Sequence, residues 1–438
     1  MHGRPKTHKR VARFMFPMIY PMYQVATSLA VPFGAAWLAV HARYRPLLRR
    51  FAPAIPNRLA AAPLWVHACS VGEVNTASPL VRAMAERWPD VPVCLTVSTV
   101  AGHDLACRTC AEVPCTWLPF DHLVCVRRFV RRLRPRALVA METELWPNLL
   151  RETRRCGAAV MLANGRLSDK HLGRYERFRA LLRPVVAQLT VAGMQNQEYA
   201  QRLAALGAPH GAVHVTGNTK FDAVATAIGP DVLAGLRAEM GLDAERPCVV
   251  FGSTRPGDEA LAASCWKELR EAFPTAQLVI APRHIERLGE ALAPFDEPLL
   301  RRTDVQQGRR PAGERVLVLD TLGELVRFYA LASVAVIGGS FYPGVNGHNP
   351  LESAALGTPT VFGPYMRNFV DPARELVQAG GAVQVAEPEG LADTLHRLLA
   401  ESHERAGLSA RAREAVRRNQ GATERTLDLL ETAVPDLG

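Results

Sequence analysis

Two hydrophobic patterns divide the chain. Residues 14–42, "FMFPMIYPMYQVATSLAVPFGAAWLAVHA", contain no Lys, Arg, Asp or Glu. From about residue 60 short apolar runs alternate with amphipathic stretches of helical period. The runs "LWVHAC", "VCLTV", "ALVAM", "AAVMLA" and "LTVAGM" are continuously apolar, as strands buried on both faces must be. Segments such as "EVNTASPLVRAMAERW" lie between them, so the alternation predicts parallel sheets covered by helices. It pauses near residues 222–245, around "IGPD" and "GLDAERP". It restarts with "CVVFGS", "QLVIAP", "RVLVLD", "SVAVIGG" and "TPTVFG". The pattern predicts an α/β protein of two Rossmann-like domains, over 51–225 and 226–438, behind an N-terminal segment over 1–50. Residues 402–433 read as helices able to pack back across the first domain.

Composition sharpens this picture. A chain of 438 residues exceeds one ordinary core, and 48% hydrophobic against 21% charged residues is a globular balance. The formal net charge of +10 points to anionic partners. The arginines are dispersed over helices rather than gathered with aromatic residues, so no nucleic acid is expected. The uncharged stretch is long enough for a bilayer, which needs about 20 apolar residues. Arg4, Lys6, Lys9, Arg10 and Arg13 precede it, and Arg43, Arg45, Arg49 and Arg50 follow it. With basic residues on both sides it fits a membrane anchor on an anionic lipid surface. Pro17, Pro21 and Pro32 leave open whether it spans the bilayer or lies in it. No small-residue cleavage site follows, so the segment is expected to be retained. Nine scattered cysteines make no disulfide framework. "CRTC" at 107–110 has the spacing of metal ligands, but Cys115 and Cys125 are ten apart and do not complete the signature. Ordinary buried thiols are expected there.

In open α/β sheets ligands bind beyond the carboxyl ends of the strands. "HACSVGE" puts Ser70 and Glu73 at such an end, either as a helix-capping pair or with Glu73 as a general base. "METELWPN" puts Glu142 and Glu144 where a buried strand stops, with Glu142 expected to be the more buried. "GNTKFD" brings Lys220 to the end of the first domain. In the second half "GSTRPGDE", "APRH", "DTLGEL" and "IGGSFYPGVNGHNPLE" supply glycine-rich turns with Arg283 and His284, which suits a nucleotide phosphate. A GxGxxG dinucleotide turn after the first strand and a GxxxxGK[ST] loop are both missing.

Taken in order, "HACSVGE", "METELWPN", "NGRLS", "TGNTKFD", "APRHIER", "DTLGEL" and "GHNPLE" resemble the Kdo transferases of glycosyltransferase family 30. These add 3-deoxy-D-manno-oct-2-ulosonic acid (Kdo) to the lipid A precursor. The resemblance covers nearly the whole chain. It implies a GT-B fold with two domains facing a cleft, CMP-Kdo as donor, lipid IVA as acceptor, no cofactor and no catalytic metal. It implies an inner-membrane protein working at the cytoplasmic face. Residue by residue, Glu73 matches the family's proton acceptor, and Glu142 and Lys220 match its transition-state stabilisers. Glu144 is then expected to support the turn. Pro282 and Arg283, then Leu322, Gly323 and Glu324, then Asn349, Pro350, Leu351 and Glu352 match the CMP-contacting segments. Arg255 stands where the family usually has His, Ala101 where it has Thr or Ser, and the loop "SFYPGVNGHN" is slightly long. A GT-B sugar-nucleotide enzyme on a soluble substrate, such as an epimerase, is the alternative.

Overall fold

A computed structural model describes residues 19–437 except 57, 58, 60, 61, 169–172, 174 and 176. Arg4, Lys6, Lys9, Arg10, Arg13 and the first residues of the uncharged stretch lie outside the described residues. The chain divides into two compact units, residues 1–223 with 420–438, and residues 224–419.

The first unit is built on a seven-stranded parallel sheet in the order β3-β2-β1-β4-β5-β6-β7. Its strands are β1 (Leu64–His67), β2 (Val93–Val97), β3 (Cys115–Trp117), β4 (Ala137–Met141), β5 (Ala159–Gly165), β6 (Val191–Met194) and β7 (Val213–Val215). Apolar clusters cover both faces. One holds Val66, Leu95, Val139 and Met161, the other Trp65, Leu138, Val160 and Leu162. Alternate residues of each strand thus enter different cores, which is why the runs read as continuously apolar. The second unit repeats the plan in the order β10-β11-β9-β8-β12-β13-β14. Its strands are β8 (Cys248–Thr254), β9 (Gln277–Pro282), β10 (Leu299–Arg301), β11 (Val316–Val318), β12 (Val334–Ile337), β13 (Thr360–Phe362) and β14 (Ala382–Gln384).

Each sheet reverses its winding once, between β1 and β4 in the first and between β8 and β12 in the second. Such a reversal parts the flanking loops and opens a crevice at the carboxyl edge.

The chain returns to the first unit at its end. Leu427, Leu430, Val434 and Leu437 join the cluster on one face of the first sheet. The Asp222 carboxylate accepts from the backbone N–H groups of Gly421 and Thr423, at 2.7 and 2.6 Å. It thereby satisfies donors at the start of the helix Ala422–Ala433, where negative charge is favoured.

The described part of the uncharged stretch is a helix, Ile19–Val40. Pro32 lies inside it without ending it. Only 6% of its most apolar window is buried. Met22, Leu29, Phe33, Trp37 and Val40 are exposed. Three side chains tie it to the first unit: Tyr20 donates to the Pro184 carbonyl, Tyr23 to Asp121, and Ser28 pairs with His122. Of the arginines that follow it, Arg43, Arg45 and Arg49 are exposed. Arg50 instead turns inward, donating to the Leu118 and Ser98 carbonyls over the Phe120 ring.

Candidate active site

At the first unit's crevice, β1 ends at His67 and the helix Val71–Arg87 begins four residues later. Ser70 is the N-cap but makes no side-chain cap. Glu73 instead reaches back, its Oε2 accepting from the Cys69 backbone N–H at 2.7 Å. Neither bond of the expected capping pair forms, because the Glu73 carboxylate reaches past the N-cap Ser70 to Cys69.

The neighbouring β4 ends in the turn of "METELWPN". Glu142 adopts a left-handed backbone, φ +50°. A residue with a Cβ resists this region, and such strain gathers at functional sites. Two backbone bonds hold it there, from its N–H to the Ala163 carbonyl and from the Arg166 N–H to its own carbonyl. Asp121 fixes the other side of the turn, accepting from the N–H groups of Asn148 and Leu149.

Glu144 does more than brace this turn. Like Glu142 it is half-buried. Its Oε2 accepts from Trp146 Nε1 and lies 3.2 Å from Nε2 of the fully buried His67. Burial works to raise its pKa, but the bonds from His67 and Trp146 and the charge of Arg50 outweigh it and hold Glu144 below the ordinary carboxylate range. Glu73 goes the other way. Burial first, then the charge of Glu144, lift its pKa to about 8, with Glu142 adding to the rise and Lys220 opposing it. Two neighbouring carboxyl groups with oppositely displaced pKa values can divide acid–base work. Sequence reasoning gave Glu144 only the bracing task. Its signal was present in the buried His67 one strand away, which only the β1–β4 pairing brings opposite.

Lys220 sits in the turn Thr219–Phe221. Asn218 accepts from the Lys220 N–H, and Asn164 accepts from the Thr219 N–H. Asn164 lies in "NGRLS" with φ +52°, so the end of β5 carries this turn. The structure thus brings Glu73, Glu142, Glu144 and Lys220 into one electrostatic cluster. The sulfur of Cys69 and the carboxylates of Glu73 and Glu144 also lie within 4.8 Å of one another. Burial and the two carboxylates push the Cys69 thiol up to about 12.

The crevice of the second unit carries the opposite charge. Arg255 follows β8, Arg283 and His284 follow β9, and His348 lies in the loop after β12. Arg255 bonds both His284 and His348. Burial and then Arg255, Arg283 and His284 drive the His348 pKa down to about 4. Burial, Arg283 and Arg287 likewise lower that of Arg255. Positive groups crowded until they repel one another form a site for an anion. Asp258 shapes this floor, accepting from the N–H groups of Arg255 and Gly339 at 2.9 and 2.6 Å. A Cβ on Gly338 would stand 2.5 Å from the Ser253 carbonyl oxygen, so glycine is required for that approach.

Pro282 is buried and seats Arg283. Glu352 is bonded by Asn349 Nδ2, and Asn349 also accepts from the Leu351 N–H. Burial raises the Glu352 pKa, while Asn349 and the charge of Arg283 oppose this. Pro350 and Leu351 are buried beneath them. The Leu322–Gly323–Glu324 turn stands beyond β11, next in the sheet to β9. Leu322 is 74% exposed there. Glu324 is already engaged by Arg302, at 3.0 Å, and by Thr321. Arg283, Asn349 and Glu352 therefore come together with Arg255 and His348, and the 322–324 turn forms a separate shoulder of the same edge. Arg255 and His348 were not among the expected contacts, although "GSTRPGDE" and "GHNPLE" contain them.

A family model described as 3-deoxy-D-manno-octulosonic-acid transferase (kdotransferase) matches residues 43–223. The 3-deoxy-D-manno-octulosonic acid transferase of Bordetella pertussis is 36% identical over 382 residues, 85% of this chain and 87% of that protein. The enzyme of the same name from Haemophilus influenzae is 31% identical over 84% of this chain and 86% of that protein. Among solved structures, UDP-GlcNAc 2-epimerase from Neisseria meningitidis bound to UDP-GlcNAc matches 85% of this chain and 100% of that chain, with TM-score 0.56 and 13% identity. At that identity the likeness shows the fold alone, and the fold is the expected α/β GT-B class with two Rossmann-like units.

The raised pKa of Glu73 has a consequence for stability. Between the ordinary 4.5 and about 8 the folded chain keeps a proton that the unfolded chain releases. Stability from this group is therefore lost as pH rises through that window. Glu73→Gln cannot ionise and keeps a hydrogen-bond acceptor. Its unfolding free energy in urea should match that of the native chain below about pH 4.5 and exceed it by a few kcal/mol above about pH 8. A constant difference at all pH values would show that Glu73 is not held protonated by its surroundings.

Proposed function

The chain belongs to the 3-deoxy-D-manno-octulosonic acid transferases, and from that premise we propose that it moves Kdo from CMP-Kdo to the lipid A precursor. It is a Kdo glycosyltransferase of lipopolysaccharide core biosynthesis, and the lipid acceptor, the site roles and the membrane face are the reading argued here. The observation that carries it is the paired edge chemistry: a proton-accepting carboxyl cluster on the first unit and an anion-binding cluster on the second.

In the proposed reaction an acceptor hydroxyl oxygen bonds to the anomeric carbon of Kdo while Glu73, in its ionised form, takes its proton. The bond from that carbon to the CMP phosphate oxygen breaks, and its electron pair leaves with CMP. The transition state is oxocarbenium-like. Glu142 faces that developing positive charge, and Glu144, kept ionised by His67, raises the proton affinity of Glu73. Lys220 balances the negative charge gathered in the cluster. Arg283, Arg255 and the amides of the 338–350 loop take up the charge of departing CMP, where preorganised groups contribute most. Pro282, Leu322, Gly323, Glu324, Asn349, Pro350, Leu351 and Glu352 shape the CMP site.

The helix Ile19–Val40 and exposed Arg43, Arg45 and Arg49 support attachment to the cytoplasmic face of the inner membrane. A helix of 22 residues is about 33 Å long, enough to match a bilayer core. The phosphates of a lipid A precursor would lie at the level of those arginines. Deleting residues 1–45 should abolish flotation with anionic vesicles and leave a cooperative melt, because Arg50 and its partners remain. Loss of the melt would make the helix part of the core.

Purified full-length protein incubated with CMP-Kdo and lipid A precursor should yield a product heavier by Kdo, read by mass spectrometry. Glu73→Gln should slow single-turnover transfer by roughly 10²–10⁴-fold with CMP affinity unchanged. Glu142→Gln should slow the same step, since its charge counts mainly in the transition state. Near-normal transfer by Glu73→Gln would remove the base.

CMP affinity isolates the second unit. Arg283→Ala should weaken CMP binding by about 1.5–3 kcal/mol in calorimetry, the range for a hydrogen bond to a charged group. An unchanged value would place the phosphate elsewhere.

A further inference from the structure

Three side chains outside the carboxylate cluster converge at the edge of the first sheet. His103 and Cys107 are four residues apart on the helix Val100–Thr109 and so share one face. Cys115 opens β3, the edge strand beyond β2. The ligand atoms of His103, Cys107 and Cys115 all lie within 4.8 Å of one another. His103 Nδ1 is 3.6 Å from the Cys107 sulfur. Tetrahedral zinc, with bonds of about 2.3 Å to sulfur and about 2.0–2.1 Å to imidazole nitrogen, sets its ligands roughly 3.5–3.8 Å apart.

We propose that His103, Cys107 and Cys115 bind a zinc ion that clips the edge strand β3 to the neighbouring helix. The donor set, two sulfurs and an imidazole, is the kind that selects zinc over calcium or magnesium. Two thiolates neutralise the ion, so binding releases two thiol protons. The His103 ring is stacked on Trp117, with centroids 4.4 Å apart and planes 9° from parallel, which fixes the direction of its nitrogen. Cys107 is exposed, giving the ion an entry path and leaving the fourth position to water. The "CRTC" spacing is misleading here. Cys110 is buried and donates to Ser78 at 3.3 Å, so its sulfur belongs to the core. A structural role follows from the strand, which is three residues long and, among the described residues, paired only with β2.

The full-length protein, purified under reducing conditions and equilibrated with nanomolar buffered zinc, should hold one zinc per chain by elemental analysis. Cobalt in its place should give thiolate-to-metal charge-transfer absorption in the near ultraviolet. Cys107→Ser should lower zinc affinity by more than the roughly 10–100-fold that loss of an outer partner costs. Cys110→Ser should leave it unchanged. A strong chelator should lower the melting temperature of the native chain and not that of Cys107→Ser. Because Cys107 is exposed, that variant tests the site even if Cys115→Ser does not fold. Less than stoichiometric zinc, retention of zinc by Cys107→Ser, or a Cys107–Cys115 disulfide in the reduced preparation would overturn the proposal.

Discussion

A strand in a parallel sheet must be followed by a crossover, so every strand-to-helix turn in a unit falls on the same edge. That requirement organises this molecule twice. Glu73 and Glu142 are far apart in the chain, yet β1 and β4 are neighbours with His67 paired to Ala140. The turns after them have to meet. In the second unit β9, β8 and β12 are consecutive in the sheet, so Arg283, Arg255 and His348 converge for the same reason. The places of reversed winding are where such turns have room to leave side chains uncovered.

The two edges use electrostatics in opposite ways. On the first, negative groups are crowded: Glu144 keeps its charge because His67 and Trp146 bond it, and burial together with the charge of Glu144 raises the proton affinity of Glu73. On the second, arginines cannot shed protons at neutral pH, so the excess charge remains and His348 stays neutral beside it. One edge gathers carboxylates, the other arginines. The left-handed Glu142 and the close approach of Gly338 to the Ser253 carbonyl are local backbone costs at these two edges.

Much of this was legible in the sequence, within limits that are physical. The ten runs taken as strands are the interior strands of the two sheets, where burial on both faces demands continuous apolar residues. The four strands they omit, β3, β7, β10 and β14, are the sheet edges, which are only partly buried and so need no continuous apolar run, whereas the equally short interior β11 and β13 are buried throughout. The candidate residues were visible because glycines, carboxylates and arginines at strand ends are chemically distinctive. Their partners were not: Arg302 on Glu324, His67 on Glu144 and Cys115 beside Cys107 depend on strand order, which local spacing does not encode. Cys110 is the buried thiol expected of "CRTC", bonded to Ser78, whereas Cys107 is exposed beside His103.

The first unit is completed only by residues 420–437, which follow the whole of the second. Asp222 and the Lys220 turn are seated against that returning segment, with Gln420 donating to the Phe221 carbonyl. During synthesis the chain therefore emerges with the first sheet made and one apolar face still open. The second unit can close while the first waits, so the unit translated first is the last to be finished. Until residues 420–437 have emerged, that exposed face is a surface for chaperones or for misassociation, and a chain cut short before them carries a formed second unit and an unsealed first one.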